Sequence, residues 1–262
     1  MVKEFAQYGH IALILGGSSG LGLAAAKKLA AHGMGICIVH RNSRSEMKEI
    51  SRSFEALKNS GVPFIAFNAD VSLPEKRKEI MDQLQEYKGR FRCLLHSIAK
   101  GSLKAMNDME QPELTVDDFR ITMEHMAYSL YDWTTAFLQH GFFTADARVL
   151  AFTSEGGQKA WKHYGAISAA KAALEAIIRN IALEFATAGI RANCIQAGIT
   201  ATGSMKKIPG SKLLEQYTLH RNPCNRLTRP EDVANAVYLL CKDEAAWING
   251  SIIPVDGGEH IC

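Results

Sequence analysis

Ile11-Ala12-Leu13-Ile14-Leu15-Gly16-Gly17-Ser18-Ser19-Gly20-Leu21-Gly22 sets an unbroken aliphatic run directly against a glycine-rich turn. A run that is apolar on both faces suits a strand covered on both sides. Glycines at 16, 20 and 22 permit the tight turn and close backbone approach that a side chain would block. From 21 to 32 apolar residues recur at three and four positions, the period of a helix. Strand, turn and helix in that order present unpaired amides and the positive end of a helix dipole to a phosphate. An ordinary strand-to-helix turn is the competing reading. The position of the turn, after the first strand of an alternating chain, favours a dinucleotide site built on Gly16, Ser18, Ser19, Gly20, Leu21 and Gly22.

Working outward, runs at 36–39, 64–68, 93–96, 148–153, 192–196 and 252–255 also read as strands, and 171–188 reads as a second clear helix. The pattern predicts a Rossmann-type, doubly wound parallel α/β sheet of about seven strands with right-handed crossovers. Gly16 to Gly22, Arg41, Asp70, His96 and Ser97, Ser154, and Gly198 to Thr202 each follow a strand end. In a parallel sheet they should line one edge, where ligands bind.

With 262 residues, 47% of them hydrophobic, the chain can build one large core. Gly and Pro are spread throughout with no linker, so a single domain over 1–262 is expected. A net charge of +3, with basic residues interleaved among acids, argues against nucleic-acid binding. The longest apolar stretches, such as 176–190, are broken by Arg179 and Glu184 and are too short to span a membrane. Residues 1–15 lack the basic start of a secretory signal. The six cysteines have no close Cys or His partners in sequence, which predicts no metal site and suits a reducing cytoplasm.

After the second strand the chain reads Val39-His40-Arg41-Asn42-Ser43-Arg44. An NAD-binding protein would offer a carboxylate here to the adenosine ribose. Arg41, aided by Arg44, instead suits a ribose 2′-phosphate, so NADPH is expected in preference to NADH. Exposed helix-start arginines are the alternative. Asp70 and Val71 at the third strand end fit either an adenine-edge clamp or a helix cap, and the residues alone leave that open.

Asn-Ala-Asp-Val at 68–71, Ala-Gly-Ile-Thr-Ala-Thr at 197–202 and Gly-Ser-Ile-Ile-Pro-Val-Asp-Gly-Gly at 250–258, together with the wide glycine spacing, resemble the short-chain dehydrogenase/reductase superfamily from residue 10 to 258. The common alcohol and ketone branch carries a tyrosine four residues before its lysine, but Ile167 stands there. Tyr164 lies seven residues before Lys171, the spacing of the enoyl-acyl-carrier-protein reductases. The pattern at 170–176, the segment His96-Ser97-Ile98-Ala99, and Tyr128-Ser129 are similar to theirs, and Met126 replaces the common branch's asparagine.

The resemblance implies reduction of an enoyl thioester carried on an acyl-carrier protein or coenzyme A. Lys171 would hold the nicotinamide ribose, and the Tyr164 hydroxyl would meet the thioester oxygen. Ser97, Ile98, Ala99, Gly198, Thr200 and Thr202 would complete the cofactor site, the last two against the nicotinamide amide and the pyrophosphate. Seven residues is almost two helical turns, so Tyr164 and Lys171 are expected to share one helix face with about 10.5 Å of rise between them. Ser154 stands where many of these reductases have a second tyrosine; it is a third catalytic candidate, bonding substrate or capping the turn before Gly156. His96 is either directly involved or a satisfied strand-end histidine.

Residues 200–219 suit a lid over the acyl chain. Lys206, Lys207 and Arg221 would meet an acidic carrier or coenzyme A phosphates, or remain solvated. Small residues along 171–188, with the family resembled, imply a homotetramer. The rival readings are a reductase of another carbonyl or enoyl-CoA substrate and a catalytically silent dinucleotide sensor. The sensor would need neither Tyr164 nor Lys171.

Overall fold

The computed structural model describes residues 3–262; residues 1 and 2 of the expected non-secretory start lie outside the described residues. Seven parallel strands, β1 (Ile11–Leu15), β2 (Gly35–His40), β3 (Phe64–Asn68), β4 (Phe91–His96), β5 (Phe143–Thr153), β6 (Ile190–Ala197) and β7 (Ile252–Val255), form one sheet in the order β3-β2-β1-β4-β5-β6-β7. The order reverses between β1 and β4, so a crevice opens beyond their carboxyl ends.

Alternation along β1 explains the two covered faces. Ile11, Leu13 and Leu15 pack with α3 (Pro74–Gln83), α5 (Ser129–Gln139) and α6 (Gly165–Glu184). Ala12 and Ile14 pack with α1 (Gly20–Ala31), α2 (Met47–Lys58) and α8 (Pro230–Cys241). Two helices complete the set, α4 (Val116–Met123) and α7 (Ser211–Arg221). A π-helical turn, Glu124–Tyr128, joins α4 to α5.

Two sequence expectations change. The helix carrying Lys171 begins at Gly165, and Tyr164 is its N-cap with φ −109° and ψ 4°, so Tyr164 stands at the helix start and not within its turns. The same helix ends at Glu184, and 186–188 form a separate 3₁₀ turn closed by Gly189 at φ +80°. Cys93 and Cys241, far apart in sequence, share one core cluster, and all six cysteines are free. Among the described residues no helix is long and apolar enough to cross a membrane.

The amino-terminal edge of the sheet holds two buried arginines whose burial nothing in the sequence announced. Arg148 Nε donates to Leu240 O at 3.1 Å and Arg92 Nε to Cys241 O at 3.1 Å, satisfying carbonyls that the end of α8 leaves without helical partners. Arg148 Nη2 reaches Asp146 Oδ2 at 2.9 Å and Arg92 Nη1 reaches the same oxygen at 2.7 Å. Asp146 is 39% exposed and keeps Arg92, so the loss on removing Arg148 falls on the Leu240 carbonyl left without its donor, about 1–3 kcal/mol. Arg148→Ala should therefore lower the free energy of chemical unfolding by about that amount. A loss within about 0.5 kcal/mol, the range of ordinary surface changes, would show that the end of α8 does not depend on it.

Candidate active site

The glycine turn is as tight as its composition requires. Gly16 has φ +90°, and a Cβ there would lie 2.4 Å from Ser97 O. A Cβ on Gly22 would lie 2.4 Å from Gly16 O and 2.8 Å from Ser97 Oγ. Ser19 caps α1 without a side-chain hydrogen bond, so the first-turn amides receive no help from its hydroxyl. Ser97, Ile98 and Ala99 follow β4 against this turn, and the Thr202 methyl lies 3.5 Å from where a Gly20 Cβ would be. The cradle that side chains would fill, at the start of a helix, fits a dinucleotide pyrophosphate.

Arg41 is not free. Its Nη1 lies 2.6 Å from Asp70 Oδ2, with the arginine side chain 59% exposed. Asp70 also accepts from Ser72 N at 3.0 Å and Ser72 Oγ at 2.8 Å, and lies 3.1 Å from His125 Nε2 and 3.8 Å from Lys100 Nζ. Burial pushes its carboxyl up, but the bonds from Ser72 and His125 outweigh burial and hold it well below the usual carboxylate range. Asp70 does not cap α3, whose N-cap is Leu73, so the capping alternative falls. Val71 is buried beneath it. His125 and Lys100 were missed by sequence reasoning. The π turn displaces His125 from regular helical register, so periodicity could not find it.

At the end of β5 the three catalytic candidates come together. Tyr164 is 8% exposed, and its hydroxyl lies 3.4 Å from Ser154 Oγ. Burial raises the phenol's pKa, partly offset by that contact. Its ring is fenced by Gly156, where a Cβ would come within 2.5 Å, and by the core around Met126, Ile167 and Ala170. His163, at φ +63°, turns the chain immediately before it. The capping role considered for Ser154 belongs to its backbone carbonyl, which accepts from Gly157 N at 2.9 Å, while its side chain makes no cap bond. Lys171 is buried and donates to Phe152 O at 2.6 Å. Burial lowers its pKa to about 8, with Cys194 and Glu175 opposing.

His96 is held by a one-way network. Ser129 Oγ donates to His125 O at 2.7 Å, so it can only accept from His96 Nε2 at 2.8 Å. Burial first, and then the charge of Lys171, lower the His96 pKa to about 3. The ring is therefore neutral and is no proton donor to substrate near pH 7.

Beyond β6, Thr200 is buried with its Oγ1 donating to Gly198 O at 2.9 Å, and Thr202 N bonds back to Thr200 O at 2.7 Å. The expected lid contains a 3₁₀ turn, Met205–Lys207, and most of α7. Lys206 and Lys207 are exposed. Arg221 is the exception to the expectation for this segment: its side chain is 11% exposed and pairs with Glu155 at 2.5 Å and Glu259 at 2.8 Å. It ties α7 to the loop after Ser154 and is not offered to a carrier. A 590 Å³ cavity lies between residues 105–108 and 160–169, with Met106, Phe119 and Trp161 among its walls.

A family model described as Enoyl-(Acyl carrier protein) reductase matches residues 16–260. The chain belongs to this family. It is accordingly an oxidoreductase of the short-chain dehydrogenase/reductase type. The enoyl-[acyl-carrier-protein] reductase [NADH] of Aquifex aeolicus is 32% identical over 199 residues, spanning 75% of this chain and 72% of that protein. A crystal structure of that Aquifex enzyme covers 97% of each chain at 27% identity, with a TM-score of 0.82. The peroxisomal 2,4-dienoyl-CoA reductase of Arabidopsis thaliana is 29% identical, spanning 95% of this chain and 84% of that protein. Binding of a nicotinamide dinucleotide follows from the family and agrees with the glycine cradle.

Proposed function

We propose that this enzyme reduces the carbon–carbon double bond of trans-2-enoyl thioesters in the cytoplasm, with NADPH as reductant and as a step of fatty acid synthesis. The observation that carries this reading is the pairing of Tyr164 with Ser154 above Lys171, while Ile167 fills the place of the ketone branch's tyrosine with buried hydrocarbon. A bound nicotinamide dinucleotide supplies the hydride. Lys171, fixed to Phe152 O, extends its remaining N–H groups toward the ribose hydroxyls. Tyr164 directs its hydroxyl at the thioester oxygen, where charge develops as the β-carbon is reduced and an enolate forms. Ser154 faces the phenol at 3.4 Å and offers a second hydroxyl for the proton that the α-carbon then takes up. Gly16 to Gly22, Ser97 to Ala99, Asp70, Val71, Gly198, Thr200 and Thr202 are assigned to the cofactor. Residues 200–219 act as the lid.

The thioester is carried on an acyl-carrier protein. Coenzyme A is the second reading, favoured by the Arabidopsis relative's coverage of nearly the whole chain. The exposed side chains Leu183, Leu239, Trp247 and Ile248, and the exposed small residues Ala169 and Ala172, support a homotetramer. Light scattering at micromolar concentration should give four times the 28.8 kDa chain mass, and a stable monomer would refute the assembly.

NADPH preference is supported by Arg41, with Arg44 nearby, and by the absence of an acid after β2. The Aquifex relative is described with NADH, so the preference is a property to be measured on this chain. Charge-assisted hydrogen bonds are worth about 1.5–3 kcal/mol. Arg41→Ala should therefore reduce kcat/KM for NADPH by about tenfold or more and leave that for NADH nearly unchanged. Equal losses with both would sink the assignment.

The reaction itself is tested by substrate and by one atom. Purified enzyme should consume reduced nicotinamide with an enoyl thioester and be nearly inert toward the 3-ketoacyl analogue. Tyr164→Phe deletes a single donor and should cost about 10²–10³ in turnover, with little change in cofactor affinity. Near-normal turnover in that variant, or preference for the keto substrate, would refute the reading.

A further inference from the structure

Phe152 and Thr153 end β5 and Ser154 follows, and each of the three is tied to a different residue on or at the start of α6. Phe152 O accepts from Lys171, Ser154 Oγ faces Tyr164, and between them Thr153 Oγ1 donates to Glu175 Oε1 at 2.6 Å. The outer two ties use residues already assigned to chemistry. The middle one does not. Glu175 is 4% exposed, and a carboxylate is costly to bury where an apolar residue would pack without penalty. It lies four residues after Lys171 and so on the same helix face. The chain beyond Ser154 crosses directly over it: a Cβ on Gly157 would stand 2.8 Å from Glu175 Oε1 and 3.4 Å from Lys171 Cβ.

We infer that Glu175 is a positioning residue for this active site, a buried anion that keeps the Lys171 ammonium charged and in place while pinning Thr153, and with it the end of β5, beneath Ser154 and Tyr164. The inference rests on the reading of Lys171 and Tyr164 given above. The titratable groups that act on Lys171 or feel its charge are Cys194 from β6, His96 from β4 and Glu175 on its own helix. The Cys194 thiol is pushed up to about 12 by burial, and His96 is neutral. Neither carries charge where Lys171 titrates, about pH 8, which leaves Glu175 as the anion acting on it.

The sign follows from that balance. Burial draws the lysine's pKa down and the carboxylate draws it up, so neutralising the carboxylate moves the titration to lower pH. In full-length enzyme labelled with ¹³C at lysine Cε, the Lys171 signal is identified by its loss in Lys171→Arg. Its midpoint should lie near pH 8 in the wild type. Glu175→Gln, which keeps an oxygen for Thr153, should move the midpoint down and cut the charged fraction at pH 8.5 by a factor of about three. Glu175→Asp, which restores the charge while breaking the Thr153 bond, should bring it back toward wild type. A midpoint in Glu175→Gln that coincides with the wild type overturns the inference. Should that variant fail to fold, Thr153→Val leaves the carboxylate without its hydroxyl and should raise the midpoint; an unmoved midpoint there is equally fatal. If the wild type reduces no enoyl thioester, the proposed function fails, while the titration still decides the role of Glu175.

Discussion

All seven strands run the same way, and that constraint places everything else. A parallel strand can reach its neighbour only through a crossover, so each face of the sheet must be covered and the strand interiors must be apolar. It also delivers every carboxyl end to one edge. Gly16, His40, Asn68, His96, Thr153 and Ala197 end or follow their strands there, and every residue assigned to cofactor or substrate lies at that edge or in the segments beyond it. One tight point is between β1 and β4, where Ser97 O sits at the place a Gly16 Cβ would need. The glycines therefore do two jobs at once. They open a cradle for a pyrophosphate and let the β4 end dock against the turn, so the cofactor site and the sheet's switch point are one packing event.

What the sequence made legible follows from how local each signal is. β1, β3 and β7 read in the sequence as short, mainly apolar runs, and their expected limits agree with the structure. β5 runs from 143 where 148 was expected, because Thr144 and Asp146 interrupt the apolar pattern; they lie in an irregularity of the ladder between Phe143, which pairs with Phe91, and Arg148, which pairs with Cys93. Tyr164 and Lys171 were found by spacing, but their geometry was not, since only the structure shows the helix starting after Tyr164. Long-range pairs were invisible. Arg221 reads as a surface cation in a mixed segment, and only its encounter with Glu155 and Glu259, far away in sequence, turns it inward. Arg148 is hidden in the same way by a helix end that contributes carbonyls and no side-chain signal.

Burial acts on Lys171 and His96 in the same direction with different outcomes. Each loses water, and each has its charged form penalised. The imidazole starts near neutrality and is driven to about 3, so it is a neutral strut whose Nε2–H is spent on Ser129. The ammonium starts far higher and stops at about 8, still charged at neutral pH. A lysine here can thus carry charge into a dry site where a histidine could not, and its charge in turn helps keep the histidine neutral.

Cofactor choice on the NADPH reading depends on what Asp70 does when Arg41 is drawn away. A 2′-phosphate must compete with a carboxylate that already holds the guanidinium at 2.6 Å. If Arg41 were the only partner, its departure would leave a buried anion unpaired, and that cost would offset much of the gain from the phosphate. Asp70 is not in that position. Ser72 supplies two donors, His125 Nε2 is within 3.1 Å, and Lys100 stands at 3.8 Å, so the carboxylate remains solvated by protein after the arginine turns. Arg41, more than half exposed, needs only a side-chain rotation. The cluster that the π turn assembles around Asp70 therefore lowers the cost of releasing Arg41, and on the reading of Asp70 as an adenine clamp it lets the carboxylate stay ionised with or without the 2′-phosphate.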